Sequence, residues 1–332
     1  MATSRTRTSI SIDGDTIEEV RRYAELNNET VSALSEKAFK KLLNDNKDEL
    51  EADAKKPTII AVTNYKGGVA KTTTTLNLAI ELAKLGHKVL MIDMDGQGNL
   101  SQNVGVYDES ESFKTVAEVM MEMKRGEART PLAEVIQQTL YDGVDIVPAD
   151  IRLADADTGI MQSLQGAYDS RLRTPLEDFL ESDDNPGYEY VIIDCPPALN
   201  IISHNAINAL YAGNVKSMVI IPVKVDGLVM RGMQRTISMV RSVADAQRLK
   251  PRPCYFLYTV AERNTTAFKE GSKQLRSEFP KANYLNTVIP KSTAVPEGTL
   301  ALYPVVDYAP DSPASIAYAN LAYEIEEMVG NE

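Results

Sequence analysis

At 332 residues the chain can hold one large domain and one small one, and its 43% hydrophobic share is that of a globular protein. No apolar run is long enough to span a bilayer and no signal-peptide pattern is visible. The net charge of −12 excludes indiscriminate attraction to nucleic acid, though a local cluster of cations can still bind it.

Residues 1–46 read as a separate module. Arg7-Thr8-Ser9-Ile10-Ser11-Ile12 alternates polar and apolar side chains, which predicts a strand. Its period of two puts Arg7, Ser9 and Ser11 on one face and Thr8, Ile10 and Ile12 on the other. Asp13 and Asp15 offer capping carboxylates to a helix carrying Ile17, Val20, Tyr23, Ala24 and Leu26. Asn27-Asn28 breaks that helix, since Asn tolerates left-handed backbone. Thr30 caps a second helix carrying Val31, Leu34, Ala38, Leu42 and Leu43. A unit this small has too little core to stand alone, which is consistent with dimerisation. Strand, helix, tight break and helix resemble a ribbon-helix-helix DNA-binding unit. The resemblance implies an antiparallel ribbon in the major groove, with Arg7, Ser9 and Ser11 at base edges. Thr30, at a helix start, would contact DNA phosphate. The alternative is a helical dimerisation arm. Residues 47–56 are charged and poor in large apolar side chains, a linker before a domain over 57–332.

Thr58-Ile59-Ile60-Ala61-Val62-Thr63 predicts a buried strand, and residues 76–84 carry apolar side chains at helical spacing. Between them lies Lys66-Gly67-Gly68-Val69-Ala70-Lys71-Thr72-Thr73-Thr74. A glycine-rich loop between a strand and a helix N-terminus lets backbone N–H groups approach an anion. Lys71 can reach the β- and γ-phosphates of a nucleotide, and the Thr72 hydroxyl can ligate Mg²⁺. Lys88-Val89-Leu90-Met91-Ile92 predicts a second buried strand. It ends in Asp93 and Asp95, two carboxylates expected to face the phosphate loop, where they can organise water and Mg²⁺. Residues 143–149 predict a further strand. Tyr190-Val191-Ile192-Ile193-Asp194-Cys195-Pro196-Pro197 predicts a central strand presenting Asp194 to Mg²⁺-bound water. Cys195 reads as a small core residue, and the two cysteines fit a reducing cytosol. Residues 218–223 and 255–260 are apolar stretches that read as strands, and 315–325 predicts a helix with one face on the sheet. The alternation of strands and helices implies an α/β fold, a mostly parallel sheet covered on both faces.

The second lysine, Lys66, resembles the deviant phosphate loop of the ParA/MinD ATPase superfamily, and the ParA-type DNA-partition ATPases match best, from about Pro57 onward. The resemblance implies ATP hydrolysis at Lys66, Lys71 and Asp95, with Lys66 crossing a nucleotide-sandwich homodimer to the partner's phosphates. It implies a nucleotide held by Lys66, Gly67, Gly68, Val69, Ala70, Lys71, Thr72, Thr73 and, more loosely, Pro290 beside the adenine. Asp95 would position the attacking water, and Mg²⁺ would meet Thr72, Asp95 and Asp194. The family has glycine where this chain has Ala70, and proline where it has Gly96. Alanine stores strain at Ala70 if that position needs φ > 0, and glycine should loosen the loop at Gly96.

The resemblance further implies a cytoplasmic, nucleoid-associated protein whose ATP-bound dimer binds nonspecific DNA, with slow turnover stimulated by a centromere-binding ParB-like partner. Candidate cations for that DNA include Arg231, Arg235, Arg241, Arg248, Lys269 and Arg276. The N-terminal module would bind a specific site and repress the protein's own operon. The alternatives are a transcriptional repressor regulated by ATP and a MinD-like membrane-cycling ATPase. The second needs a basic amphipathic tail, and the sequence here ends in Glu324, Glu326, Glu327 and Glu332. An iron–sulfur reductase would need cysteines in a cluster-like setting, and a tyrosine kinase of the superfamily would need a tail tyrosine cluster; neither pattern is present.

Overall fold

The computed structural model describes residues 13–26, 30–45, 56–108, 110, 112–121, 123–124, 127–128, 130–154, 168–225 and 229–330. The chain divides into two units, Met1–Lys55 and Lys56–Glu332.

In the first unit, α1 (Gly14–Leu26) and α2 (Val31–Asp45) are the two expected helices. Asp13 caps α1: Oδ1 accepts the Thr16 N–H at 2.9 Å and Oδ2 accepts the Thr16 hydroxyl at 2.6 Å. Thr30 caps α2, its hydroxyl oxygen accepting the Ala33 N–H at 3.2 Å. Ala24 is buried, whereas Tyr23 and Leu26, expected on the apolar face, are exposed in the single chain. The expected ribbon strand with Arg7, Ser9 and Ser11, and the Asn27-Asn28 break, lie outside the described residues.

The second unit is built on a sheet whose strands are β1 (Thr58–Val62), β2 (Val89–Asp93), β3 (Gln137–Gln138), β4 (Val144–Val147), β5 (Tyr190–Asp194), β6 (Lys216–Val223), β7 (Cys254–Ala261) and β8 (Asn283–Pro290). Their order across the sheet is β8-β7-β6-β1-β5-β2-β4-β3. All neighbours pair in parallel except β3, which runs antiparallel to β4. Every residue of β1, β2 and β5 is buried, which is why these strands read as unbroken apolar runs. Successive side chains leave opposite faces. Ile59, Ala61, Leu90 and Ile92 join one core, and Ile60, Val62 and Met91 join the other.

The helices in chain order are α3 (Lys71–Lys84), α4 (Asn99–Asn103), α5 (Val116–Met121), α6 (Arg173–Glu181), α7 (Ile201–Asn208), α8 (Val229–Ala246), α9 (Thr266–Glu278), α10 (Ala294–Leu300), α11 (Val305–Tyr308) and α12 (Pro313–Gly330). Buried side chains of α5, α6, α7 and α8 fill the first core, and those of α3 and α12 fill the second. The apolar face expected for the last helix is there: Ala314, Ala317, Tyr318, Leu321 and Ile325 are buried. A short antiparallel ribbon, Met123–Lys124 with Glu127–Ala128, was not visible in the sequence.

Two carboxylates of α12 fasten it to the sheet. Glu324 accepts two successive backbone N–H groups of the edge strand β8, from Asn286 at 2.6 Å and Thr287 at 2.9 Å. Glu326 meets His87 just before β2, Oε1 lying 2.9 Å from Nε2, while Glu189 Oε2 lies 3.0 Å from Nδ1 of the same ring. Among the described residues no helix is long and apolar enough to cross a membrane.

Candidate nucleotide site

The C-terminal ends of β1, β2 and β5 lie side by side, because these strands are neighbours running in one direction. In such a sheet the crevice beyond those ends is where ligands bind. The chain leaves β1 through residues 63–70 and enters α3 at Lys71. Gly68 stands at φ +69. Ala70, the residue preceding the helix, stands at φ +67 and ψ +37, so this position does demand left-handed backbone from a residue with a Cβ. Val69 is buried, and its carbonyl accepts the Thr259 hydroxyl at 2.9 Å, tying the loop to β7.

A cavity of about 800 Å³ opens over the loop. That is the size of a small-molecule site. Its lining includes Gly67, Gly68, Lys71, Thr72, Thr73 and Asp95, and the apolar Val260, Ile289, Pro290 and Val295. The structure therefore brings the loop, Asp95 and Pro290 to one space, as the sequence reading expected. Lys66, Val69 and Asp194 do not line it. Val260 stands at φ +49, unusual for a β-branched residue. The β7/β8 register shifts there, between Tyr258–Val288 and Ala261–Pro290, and the resulting bulge brings Val260 into the cavity wall. Val260, Val295, Thr299 and Tyr318 were not anticipated. Tyr318 shows in the sequence only as one more apolar position of a helix, yet its hydroxyl lies 3.4 Å from Thr74 Oγ1.

Asp194 is fully buried. Its Oδ2 accepts the Thr72 hydroxyl at 2.7 Å and its Oδ1 the Thr75 hydroxyl at 3.4 Å. Burial, then the charge of Asp93, raises its pKa against the pull of Thr72 and Lys71. Burial lowers the pKa of Lys71, opposed by Asp194, Cys195 and Asp95. The Lys71 ammonium donates to the Lys66 carbonyl at 3.4 Å. So the cavity lining holds a buried ammonium and the Thr72 hydroxyl, the latter tied to the buried Asp194 carboxylate, each short of the solvation that a bound polyphosphate and cation would supply.

Asp93 corrects one expectation. It does not face the loop. Its Oδ1 accepts the Asp95 N–H at 3.0 Å, and its Oδ2 accepts the Ser101 N–H at 3.0 Å and hydroxyl at 2.8 Å. Burial pushes its pKa up to about 6. Asp93 thus anchors the turn that carries Asp95 and the start of α4. Gly96 is closely packed. A Cβ there would sit 3.2 Å from the Ala154 backbone N, so the absent side chain answers a close packing contact. A proline would crowd that contact.

Cys195 is buried, with its thiol pushed up to about 12 by burial, so it is a core residue and no nucleophile. Both cysteines are free. Among the expected DNA-contacting cations, Arg235 lies over the Tyr65 ring and Arg276 over the Tyr284 ring, at 5.0 and 4.2 Å from the ring centroids. The Arg231 side chain lies outside the described residues.

A parallel sheet whose first strand feeds a glycine–lysine loop, with carboxylates at the ends of the adjacent strand β5 and of β2 beyond it, is the core of a P-loop nucleoside triphosphatase. Three comparisons agree. A family model described as an AAA domain matches residues 57–251. The chromosome partitioning protein ParA of Caulobacter vibrioides is 32% identical over 267 residues, 80% of this chain and 93% of that one. The sporulation initiation inhibitor protein Soj of Bacillus subtilis is 29% identical over 80% of this chain and 97% of its own length. Among solved structures, cobyrinic acid a,c-diamide synthase of Mycobacterium smegmatis with bound ADP and magnesium matches with a TM-score of 0.63. It is 25% identical, over 82% of this chain and 94% of that one. The chain belongs to the ParA/MinD family of P-loop ATPases.

Proposed function

We propose that this ATPase is a DNA-partition ATPase that binds Mg²⁺–ATP in the 800 Å³ cavity and pairs with a second copy through it. The observation that carries the reading is the arrangement of the two lysines. Lys71 is buried in the floor of the cavity, while Lys66 lies outside the lining of its own cavity, though its backbone is fastened into the same loop. A lysine so placed suits a phosphate bound by a facing copy. The phosphates would lie on the N–H groups of residues 67–73 with Lys71 against the β- and γ-groups.

Thr72 and Asp194 would hold Mg²⁺ together with the nucleotide, since this ion takes few protein oxygens and completes its shell with phosphate and water. Among the described residues no cluster of three or more acidic, His or Cys side chains could cage a metal alone, which suits a cation that arrives with its nucleotide. Bound there, it would neutralise charge on the phosphate oxygens. Asp95 would orient the attacking water from the cavity rim, held by the Asp93 bond to its N–H. Pro290 would border the adenine.

The relatives named for chromosome partitioning and sporulation control support the partition reading. In this reading the dimer binds nonspecific DNA in the cytoplasm, at the nucleoid, and a centromere-binding ParB-like protein stimulates its release. The first unit, in which Thr30 caps α2 and Tyr23 and Leu26 are exposed, would dimerise as a ribbon-helix-helix. It would read operator DNA through Arg7, Ser9 and Ser11. The last turns of α12 carry Glu324, Glu326 and Glu327, a charge that an anionic membrane surface would repel.

The test measures phosphate release, sedimentation with a nonhydrolysable ATP analogue, and DNA anisotropy. Lys71→Ala should lose ATP affinity. Lys66→Ala should keep ATP affinity, but its residues 57–332 should stay monomeric with the analogue. Arg7→Ala in the full chain should weaken binding to the protein's own promoter by about tenfold or more, at 1–3 kcal/mol per lost base contact, with turnover intact. An unaltered ATP-dependent dimer in Lys66→Ala would sink the sandwich.

A further inference from the structure

Lys66 sits on a short limb, Asn64-Tyr65-Lys66, between the end of β1 and the glycines. Two successive N–H groups of this limb are already taken by the protein. The Tyr65 N–H donates to the Thr236 hydroxyl oxygen at 3.1 Å, and the Lys66 N–H donates to Asn64 Oδ1 at 3.0 Å. Neither is left to cradle a phosphate, so the anion-binding part of the loop begins after Lys66. The limb is instead a mount. Asn64 is itself fixed, its Nδ2 donating to the Pro222 carbonyl of β6 at 2.7 Å.

Thr236 lies on α8, 171 residues away in sequence, and is fully buried. Its hydroxyl proton goes to the Gly232 carbonyl one turn back, at 3.1 Å, which leaves a lone pair for the Tyr65 N–H. The helix meets the limb closely. A Cβ on Gly232 would lie 3.7 Å from Asn64 Oδ1 and 3.8 Å from Lys66 Cβ. One residue before Thr236, the Arg235 guanidinium covers the Tyr65 ring at 5.0 Å. Hydrogen bond, close packing and cation–π contact thus all join one turn of α8 to the limb that carries Lys66.

We propose that Thr236 is a positioning residue for Lys66: by holding the Tyr65 N–H it fixes the limb from which that lysine reaches the facing copy's nucleotide. The inference rests on the trans role of Lys66 proposed above. Lys71 opens α3 and is buried there, so its place, and its binding of ATP, does not depend on Thr236 in the same way. Losing Thr236 Oγ1 should therefore impair turnover and spare ATP affinity.

The experiment uses the full chain, with phosphate release for kcat and KM, displacement of a fluorescent ATP analogue for affinity, and thermal melts. Thr236→Val keeps the shape and removes the acceptor, leaving a half-buried N–H unpaired. Its kcat should fall about tenfold, the effect of one such bond at the transition state, with ATP affinity within about twofold of the parent. Thr236→Ser should restore kcat. If Thr236→Val does not fold, Thr236→Ala carries the same expectation. An unchanged kcat, a parallel loss of affinity, or no rescue by serine would overturn the proposal. Lys66→Ala is run alongside. Normal turnover there would overturn the trans role itself, whereas a deficient Lys66→Ala with a normal Thr236→Val would overturn only the role of Thr236.

Discussion

A single dihedral angle separates this phosphate loop from the glycine pattern that it resembles. Ala70 holds φ +67, where the Cβ of an L-residue costs about 1–2 kcal/mol. Glycine would remove that cost, at the expense of about 0.5–1 kcal/mol from a freer unfolded chain. Ala70→Gly should therefore stabilise the protein by up to about 1 kcal/mol in urea unfolding. A clear loss of stability would show that alanine sits there without strain. The question could be posed from sequence, because the neighbouring glycines and lysines fix the register of the loop. The left-handed Val260 could not be anticipated. Nothing in a run of β-branched and aromatic residues marks a bulge, and tertiary pairing with β8 imposes it.

The turn after β2 shows what one buried carboxylate does for an element. Asp93 accepts three hydrogen bonds, from the Asp95 N–H and from the Ser101 N–H and hydroxyl. Asn at this position must aim its amide hydrogens at one of those donors. Asp93→Asn should cost about 1–3 kcal/mol in urea unfolding, the range for leaving buried polar groups unpaired. It should also lower turnover, because the Asp95 backbone loses its anchor. A variant as stable as the parent would contradict the cap. Sequence placed both carboxylates at the end of the strand but could not say which one turned inward.

The buried parallel strands were legible for a plain reason: burial on both faces writes a continuous apolar run. Strand β3 was not, since two residues carry no period. Helix α10 was hidden by its own residues. Pro296 and Gly298 read as loop signals, yet proline is tolerated in the first turn of a helix. The DNA-reading face assigned to Arg7, Ser9 and Ser11 rests on alternation alone, over residues that the structure does not describe.

At the scale of the whole molecule, His87 clasps distant parts of the chain. Both ring nitrogens face carboxylates, Glu189 and Glu326, so both donate and the ring is favoured as the cation. Burial alone would lower its pKa, but the bonds to Glu189 and Glu326 and their charges raise it. The clasp is therefore at full strength below the unfolded value of about 6.5 and weakens as pH rises through the raised folded value. Melting temperatures taken between about pH 6 and 9 should fall with pH, and less steeply in His87→Gln. Equal slopes would remove His87 from the account.

Glu324, on the same helix as Glu326, occupies two successive N–H groups of the edge strand β8. A sheet edge with unused donors is a template on which a stray strand can add, the first step toward fibrous aggregates. Here a carboxylate already fills those donors and sets a negative charge beside them. At the other end of the sheet the terminal strand is two residues long, too short to seed pairing. The two ends of the sheet thus leave little open edge on which the sheets of separate copies could fuse.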